Sequence, residues 1–264
     1  MGYNPFFILI LIMATITLLF GYNFFSKQKE YTYGIIGAME VEIKNLVSDL
    51  KNKKEEKHNG LTFYLGKLKN YDVIIVKCGV GKVNAGRTAQ VLISEYSPKY
   101  IINTGIGGGL TQNLSIGDAV ISTDLIQYDF DISALGFPKG YMYTGVNPDQ
   151  PTKFNADQEL IERFKTALEE LGEKRNIFTG RILTGDTFVS SKEDREELVK
   201  TFDGISCEME GAAIAQVCTL NEIPFVVVRV ISDLPNGQGV KDYSEFEKES
   251  GESISQAIEN VLDD

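Results

Sequence analysis

The stretch IPFVVVRVIS, residues 223–232, is apolar along nearly its whole length. A strand with one face in water alternates apolar and polar side chains, whereas a strand covered on both faces has no need to. The run therefore predicts the central strand of a sheet with helices on both sides. Its one charge, Arg229, requires a buried acid as partner, because an unpaired charge in such a place is costly. Outward from it, short β-branched runs alternate with helical periodicity. Strands are expected at 33–36, 61–65, 73–77, 100–103, 118–122, 178–183 and 205–208 as well as 224–231, and helices at 40–50, 83–96, 157–171, 192–202, 211–220 and 243–262. Such alternation favours an α/β fold built on a mostly parallel, twisted mixed sheet flanked by helices. No repeat, Pro-rich linker or low-complexity stretch divides residues 31–264, which read as one domain.

The chain of 264 residues is 43% hydrophobic and 24% charged, as folded domains usually are. A formal net charge of −11 repels a phosphate backbone, so nucleic acid is not an expected partner. Cys78, Cys207 and Cys218 sit in apolar runs without paired spacing. That pattern argues for buried, reduced thiols and against a disulfide framework or a zinc site. The single histidine, His58, lies in KNKKEEKHNG (residues 51–60), which reads as a solvated loop. Ser-His and Cys-His nucleophilic chemistry is thereby excluded, and catalysis falls to carboxylates. Neither a metal nor a cofactor is expected.

Residues 6–20, FFILILIMATITLLF, carry no charge, and weaker apolar character reaches Phe25. A helix needs about 20 residues to span a bilayer, so residues 5–25 just suffice. The segment before this run has no Lys or Arg, and the segment after it has no small-residue cleavage motif; both favour an uncleaved membrane anchor over a signal peptide. Lys27 and Lys29 follow the run, which by the positive-inside rule places the domain behind it on the cytoplasmic side. A secreted or surface-exposed domain is the alternative. The expected organisation is thus 1–30, hydrophobic anchor or signal segment, and 31–264, the folded domain.

In open α/β sheets the ligand lies beyond the carboxyl ends of the strands. The expected ends here are GAMEVE (37–42), GVGK (79–82), NTGIGGG (103–109), TGDTFV (184–189), EME (208–210) and Ser232-Asp233. Glycine turns, carboxylates, two methionines and a phenylalanine gather at one rim. Each also has a plainer reading. The run 105–109 reads as a tight turn, Glu42 as a solvated first-turn glutamate, and Met39 and Met209 as core filler. Glu208 and Glu210 alternate, so one is free to face solvent, and Asp233 suits an N-cap or a turn. Taken singly, none decides.

Together, however, YGIIGAMEVEI, KCGVGKVNA, IINTGIGGGL, GDTFVSS, SCEMEGAAIAQVC and PFVVVRVISD stand in the order and spacing of the methylthioadenosine/S-adenosylhomocysteine nucleosidases. The resemblance covers residues 33–262 and implies the single-domain nucleoside phosphorylase-like fold. It further implies that Glu42 holds the attacking water and that Asp233, helped by Ser232, protonates N7 of the leaving adenine. Glu210 would accept hydrogen bonds from the ribose hydroxyls, and Met39, Met209 and Phe188 would wall ribose and base. Val189 would offer backbone groups to the adenine edge and Val80 would line the water and ribose pocket, with Ile106, Gly107 and Glu208 completing the substrate-binding set. The family's homodimer, in which a neighbouring subunit closes the 5′-substituent pocket, would place Leu135 and Phe137 there. Ile106 departs from the serine of many relatives, and Leu135 from a common aromatic.

The chemistry expected of such a site is hydrolysis. Adenine leaves readily only when protonated, and the sugar then takes on oxocarbenium character, as in glycoside hydrolysis. One acid must donate a proton while another carboxylate orients water, and carboxylates in an apolar pocket have their pKa values driven apart. A phosphorylase instead needs cations to fix phosphate. Lys82 and Arg87 follow one glycine loop, and Arg87 is expected to point to solvent. The expected activity is release of adenine from 5′-methylthioadenosine and S-adenosylhomocysteine. The alternatives are a phosphorylase, an aminodeoxyfutalosine nucleosidase, or a surface-exposed binding protein or adhesin that retains the fold.

Overall fold

In the computed structural model, which describes residues 31–144, 147–172, 175–234 and 251–262, the decisive run forms a strand, Phe225–Asp233, buried at every position. In chain order the elements are β1 (Tyr33–Gly37), α1 (Glu40–Asp49), β2 (Lys51–His58), β3 (Leu61–Leu68), β4 (Tyr71–Lys77), α2 (Lys82–Tyr96), β5 (Tyr100–Gly109) and β6 (Ala119–Gln127). A single 3₁₀ turn (Ser133–Leu135) follows, then β7 (Phe154–Asn155), α3 (Gln158–Glu170), β8 (Ile177–Thr184), α4 (Lys192–Phe202), β9 (Ser206–Glu208), α5 (Gly211–Leu220), β10 (Phe225–Asp233) and α6 (Gly251–Val261). The hydrophobic leader, on which the expected membrane span falls, lies outside the described residues, as do 243–250 of the last expected helix. Among the described residues no helix is long and apolar enough to cross a membrane.

All these strands join one sheet. β10 runs parallel to β5 and antiparallel to β6; β6 pairs with β8, β8 with β9, and β9 returns to β5, so these five close into a ring. From β5 the sheet continues through β1, β4 and β3 to β2. The described pairings divide evenly between parallel and antiparallel. β2, β3 and β4 follow one another through short turns, and consecutive strands joined that way must be antiparallel.

The pleat sends alternate residues to opposite faces, and each face has its own core. Ile36, Ile74, Val76 and Val227 pack under α2 and α5 through Leu92, Ala213 and Ile214. Ile35, Ile75, Val226 and Val228 pack under α1, α3 and α6 through Leu46, Phe164 and Ile258. Asp157 caps α3, its side chain accepting from Leu160 N at 2.9 Å, and Ser191 caps α4, accepting from Asp194 N at 3.0 Å.

Two expectations need correcting. KNKKEEKH is a strand, not a solvated loop; its charges suit an edge strand exposed on both faces, where apolar alternation is absent. His58 ends that strand, half-buried between Glu56 and Glu95 and packed on Phe63 and Tyr96. The glycine run is no turn either, since Gly105, Gly107, Gly108 and Gly109 all belong to β5. Their lack of a side chain serves close approach, as the site shows.

Candidate active site

A cleft opens at the carboxyl ends of β1, β5, β8, β9 and β10. Of the residues expected there, Met39, Glu42, Val80, Ile106, Gly107, Phe188, Val189, Glu208, Met209, Glu210, Ser232 and Asp233 line it. Ala38, Gly108 and Thr187, which belong to the expected strand-end stretches without an assigned role, line it as well, and so does Cys207, which was not anticipated. Leu135 and Phe137 do not. Leu135 is 71% exposed at the end of the 3₁₀ turn, and Phe137 stacks on Tyr141 with centroids 5.0 Å apart.

Glu42 stands at the third position of α1, within reach of the helix's unpaired N–H groups. Its Oε2 accepts from Ala38 N at 2.6 Å and Met39 N at 2.9 Å, and its Oε1 accepts from Ile106 N at 3.2 Å across on β5. A carboxylate oxygen has two lone pairs, so Oε1 keeps one for a further donor. Burial pushes the Glu42 carboxyl above its ordinary pKa, against the opposing pull of Arg229 and these N–H groups. The carboxylate reaches this place only because residue 105 is glycine: a Cβ there would lie 2.5 Å from Oε1.

Glu208 and Glu210 are both buried, so neither faces solvent. Glu208 is fully engaged. Its Oε2 takes Arg229 Nη2 at 2.5 Å and the backbone N–H groups of Glu210 and Gly211 at 3.0 and 2.7 Å, while its Oε1 accepts from the Thr184 hydroxyl. This is the buried acid that Arg229 required, and Asn103 Oδ1 accepts from the same guanidinium at 2.6 Å. Glu210 Oε1 accepts from Gly81 N at 2.8 Å, and its Oε2 accepts from no donor among the described residues. Burial first, then the negative charge of Glu208, pushes the Glu210 carboxyl up to about 7. A neighbouring diol would find in it a ready acceptor.

Asp233 ends β10 and is 2% exposed. Its Oδ1 accepts from the Ser232 hydroxyl at 2.7 Å, and its Oδ2 is ion-paired with Arg195 Nη2. Sequence reasoning missed Arg195. It lies in KEDREELVK, whose charges read as a solvated helix face, and only its spacing of three and seven from Leu198 and Phe202, the other buried residues of α4, sets it apart.

Among the described residues no lysine or arginine lines the cleft, and the described cations around it are committed: Arg229 to Glu208, Arg195 to Asp233, and Lys82 to Asp129 at 2.5 Å. Arg87 is exposed on α2 and donates to Asn59 O. Among the described residues no three His, Cys, Asp or Glu side chains gather as a metal site. The arrangement suits acid–base chemistry on a neutral ligand.

The sequence matches the profile of the Phosphorylase superfamily over residues 32–263. It is 38% identical over 230 residues to the 5′-methylthioadenosine/S-adenosylhomocysteine nucleosidase of Shewanella loihica, covering 87% of this chain and 97% of that protein. It is 37% identical over 230 residues to the enzyme of the same name from Staphylococcus haemolyticus, covering 87% and 98%. Its fold superposes on the crystal structure of the 5′-methylthioadenosine/S-adenosylhomocysteine nucleosidase from Neisseria meningitidis in complex with methylthio-immucillin-A. There the TM-score is 0.82 and the identity 34%, over 88% of this chain and 98% of that one. The chain therefore belongs to the Phosphorylase superfamily and, within it, to the 5′-methylthioadenosine/S-adenosylhomocysteine nucleosidases.

Proposed function

We propose that this chain hydrolyses the N-glycosidic bond of 5′-methylthioadenosine and S-adenosylhomocysteine, releasing adenine and the 5-thioribose product. The observation that carries the reading is the meeting of Glu42, Glu210 and Asp233 in one cleft to whose walls the described residues supply no cation. Glu42, with a lone pair left on Oε1, holds and deprotonates the water. Glu210 accepts from the ribose diol, and Glu208 serves it as a buttress by anchoring the backbone of 210 and 211. Asp233 passes a proton to N7 through Oδ1, the oxygen that Arg195 leaves free, with Ser232 beside it. Met39, Met209 and Phe188 wall ribose and base, Val80, Ile106 and Gly107 close the ribose end, and Val189 meets the base edge. A phosphorylase would have to fix its anion next to Glu42, where like charge opposes it.

The test is release of free adenine from both nucleosides, in phosphate-free buffer and with phosphate added. Equal release in the two supports hydrolysis, and strict dependence on phosphate overturns it. General acid–base assistance is typically worth on the order of 10² to 10⁴ in rate. Glu42→Gln and Asp233→Asn are each expected to lose at least that much while keeping the wild-type circular dichroism spectrum. A folded variant with near-full activity removes that residue from the mechanism.

The chain is further proposed to act as a homodimer in which Leu135 and Phe137 close the partner's 5′ pocket; the exposure of Leu135 supports this reading. Light scattering on a size-exclusion column that returned a monomer would contradict it. Residues 5–25 are proposed to anchor the chain in a membrane with the domain facing the cytoplasm, on the strength of their apolar run and the lysines after it. Flotation of the full chain with lipid, and its survival when whole cells are treated with protease, are the outcomes expected.

A further inference from the structure

Arg195 occupies an inward position of α4, where helical periodicity calls for an apolar residue, and it is completely buried. Placing a guanidinium there costs more than placing a leucine, unless its hydrogen bonds bring something a leucine lacks. Its five hydrogen bonds all go to residues that line the cleft or adjoin its lining. Nε and Nη2 donate to Val189 O at 3.0 and 2.8 Å, and Nη1 donates to Gly109 O at 2.7 Å and to Asp233 O at 3.5 Å. The fifth runs from Nη2 to Asp233 Oδ2. Arg195 itself does not line the cleft.

We infer that Arg195 is a positioning residue for the leaving base, fixing in one rigid fork both the carboxylate that meets N7 and the peptide that meets the purine edge. The inference rests on the nucleosidase reading above. A carboxylate held by one oxygen has a single orientation, so Oδ1 alone is left to exchange a proton. The two lone pairs of Val189 O are both taken by the guanidinium, so what residue 189 offers the base is its N–H. One side chain thus sets the spacing between the acid and the base-reading group. The planar fork suits this, and a lysine ammonium, a single point of charge, does not.

The measurement is the preference of the full-length protein for adenine over 7-deazaadenine, which differs in having no N7 acceptor, together with kcat and KM for 5′-methylthioadenosine. In the wild type adenine is expected to bind at least tenfold tighter. In Arg195→Met the preference falls at least fivefold while 7-deazaadenine affinity stays within threefold, and kcat drops at least fiftyfold with KM moving less than fivefold. Arg195→Lys falls between the two. Equal weakening of both bases, or an unchanged preference, overturns the proposal and leaves Arg195 a structural tie. Should Arg195→Met fail to fold, Arg195→Lys decides alone, an unchanged preference again being fatal. A wild type that releases no adenine fails the nucleosidase reading; one that releases adenine with a preference unmoved in both variants fails this inference only.

Discussion

Glu210 shows what a cluster of acids does to its own members. Its carboxyl is raised to about 7 from an ordinary 4.5, through burial and the charge of Glu208. The native state therefore holds the proton more tightly than the unfolded chain does. The stability this confers is complete below pH 4.5 and is lost as pH rises through about 7. Glu210→Gln, which never ionises, is expected to be the more stable protein at pH 8, by up to about 3 kcal/mol at roughly 1.4 kcal/mol per pKa unit. The gap should close by pH 4, while the variant binds the nucleoside more weakly throughout. Urea melts across that range check it, and a gap that widens toward acid refutes the assignment. The carboxylates were legible in the sequence because their motifs sit at strand ends. Arg195 was not, because a helix of alternating charge gives no sign of which member turns inward until a neighbouring strand is in place.

β5 carries the next lesson. Glycine inside a strand weakens it unless something must come close. Here a Cβ at 105 would meet Glu42 Oε1 at 2.5 Å, and one at 107 would meet Ser206 Oγ at 3.1 Å and Cys207 O at 3.2 Å. Gly105→Ala is thus expected to cost about 1–3 kcal/mol of stability by overpacking. Its larger effect is to push the water-holding carboxylate aside, with kcat down at least tenfold. Thermal melts alongside kinetics separate the two, and a variant that loses stability but keeps kcat shows that Glu42 yields without consequence. The same strand marks where reading the sequence stopped short. Apolar runs located β1, β4 and β10 to within two residues, since their burial on both faces is written in composition. The polar β2 and the bare end of β5 owe their conformation to neighbours, Leu61–Leu68 in one case and Phe225–Asp233 in the other, and periodicity does not register such debts.

Across the fold, the three thiols share one fate. Cys78, Cys207 and Cys218 are free and buried, and burial pushes each up to about 12. The thiolate is the reactive form, so at pH 8 a disulfide reagent is expected to label none of them until the protein opens. The rate of labelling then reports opening; rapid modification of Cys78 or Cys218, neither of which lines the cleft, in the native protein would show that its part of the fold is loose. The ring of β5, β10, β6, β8 and β9 has a consequence of another kind. Among the described residues, closure leaves two strands paired on one side alone: the charged, eight-residue β2 at the far margin and the two-residue β7 beside β6. Were two copies ever to join along β2, strand against strand, the combined sheet would end in a ring on either side and keep only the two-residue β7 margins, too short a template for a third copy to add. Growth of fibrils from the native state would stop at its first step.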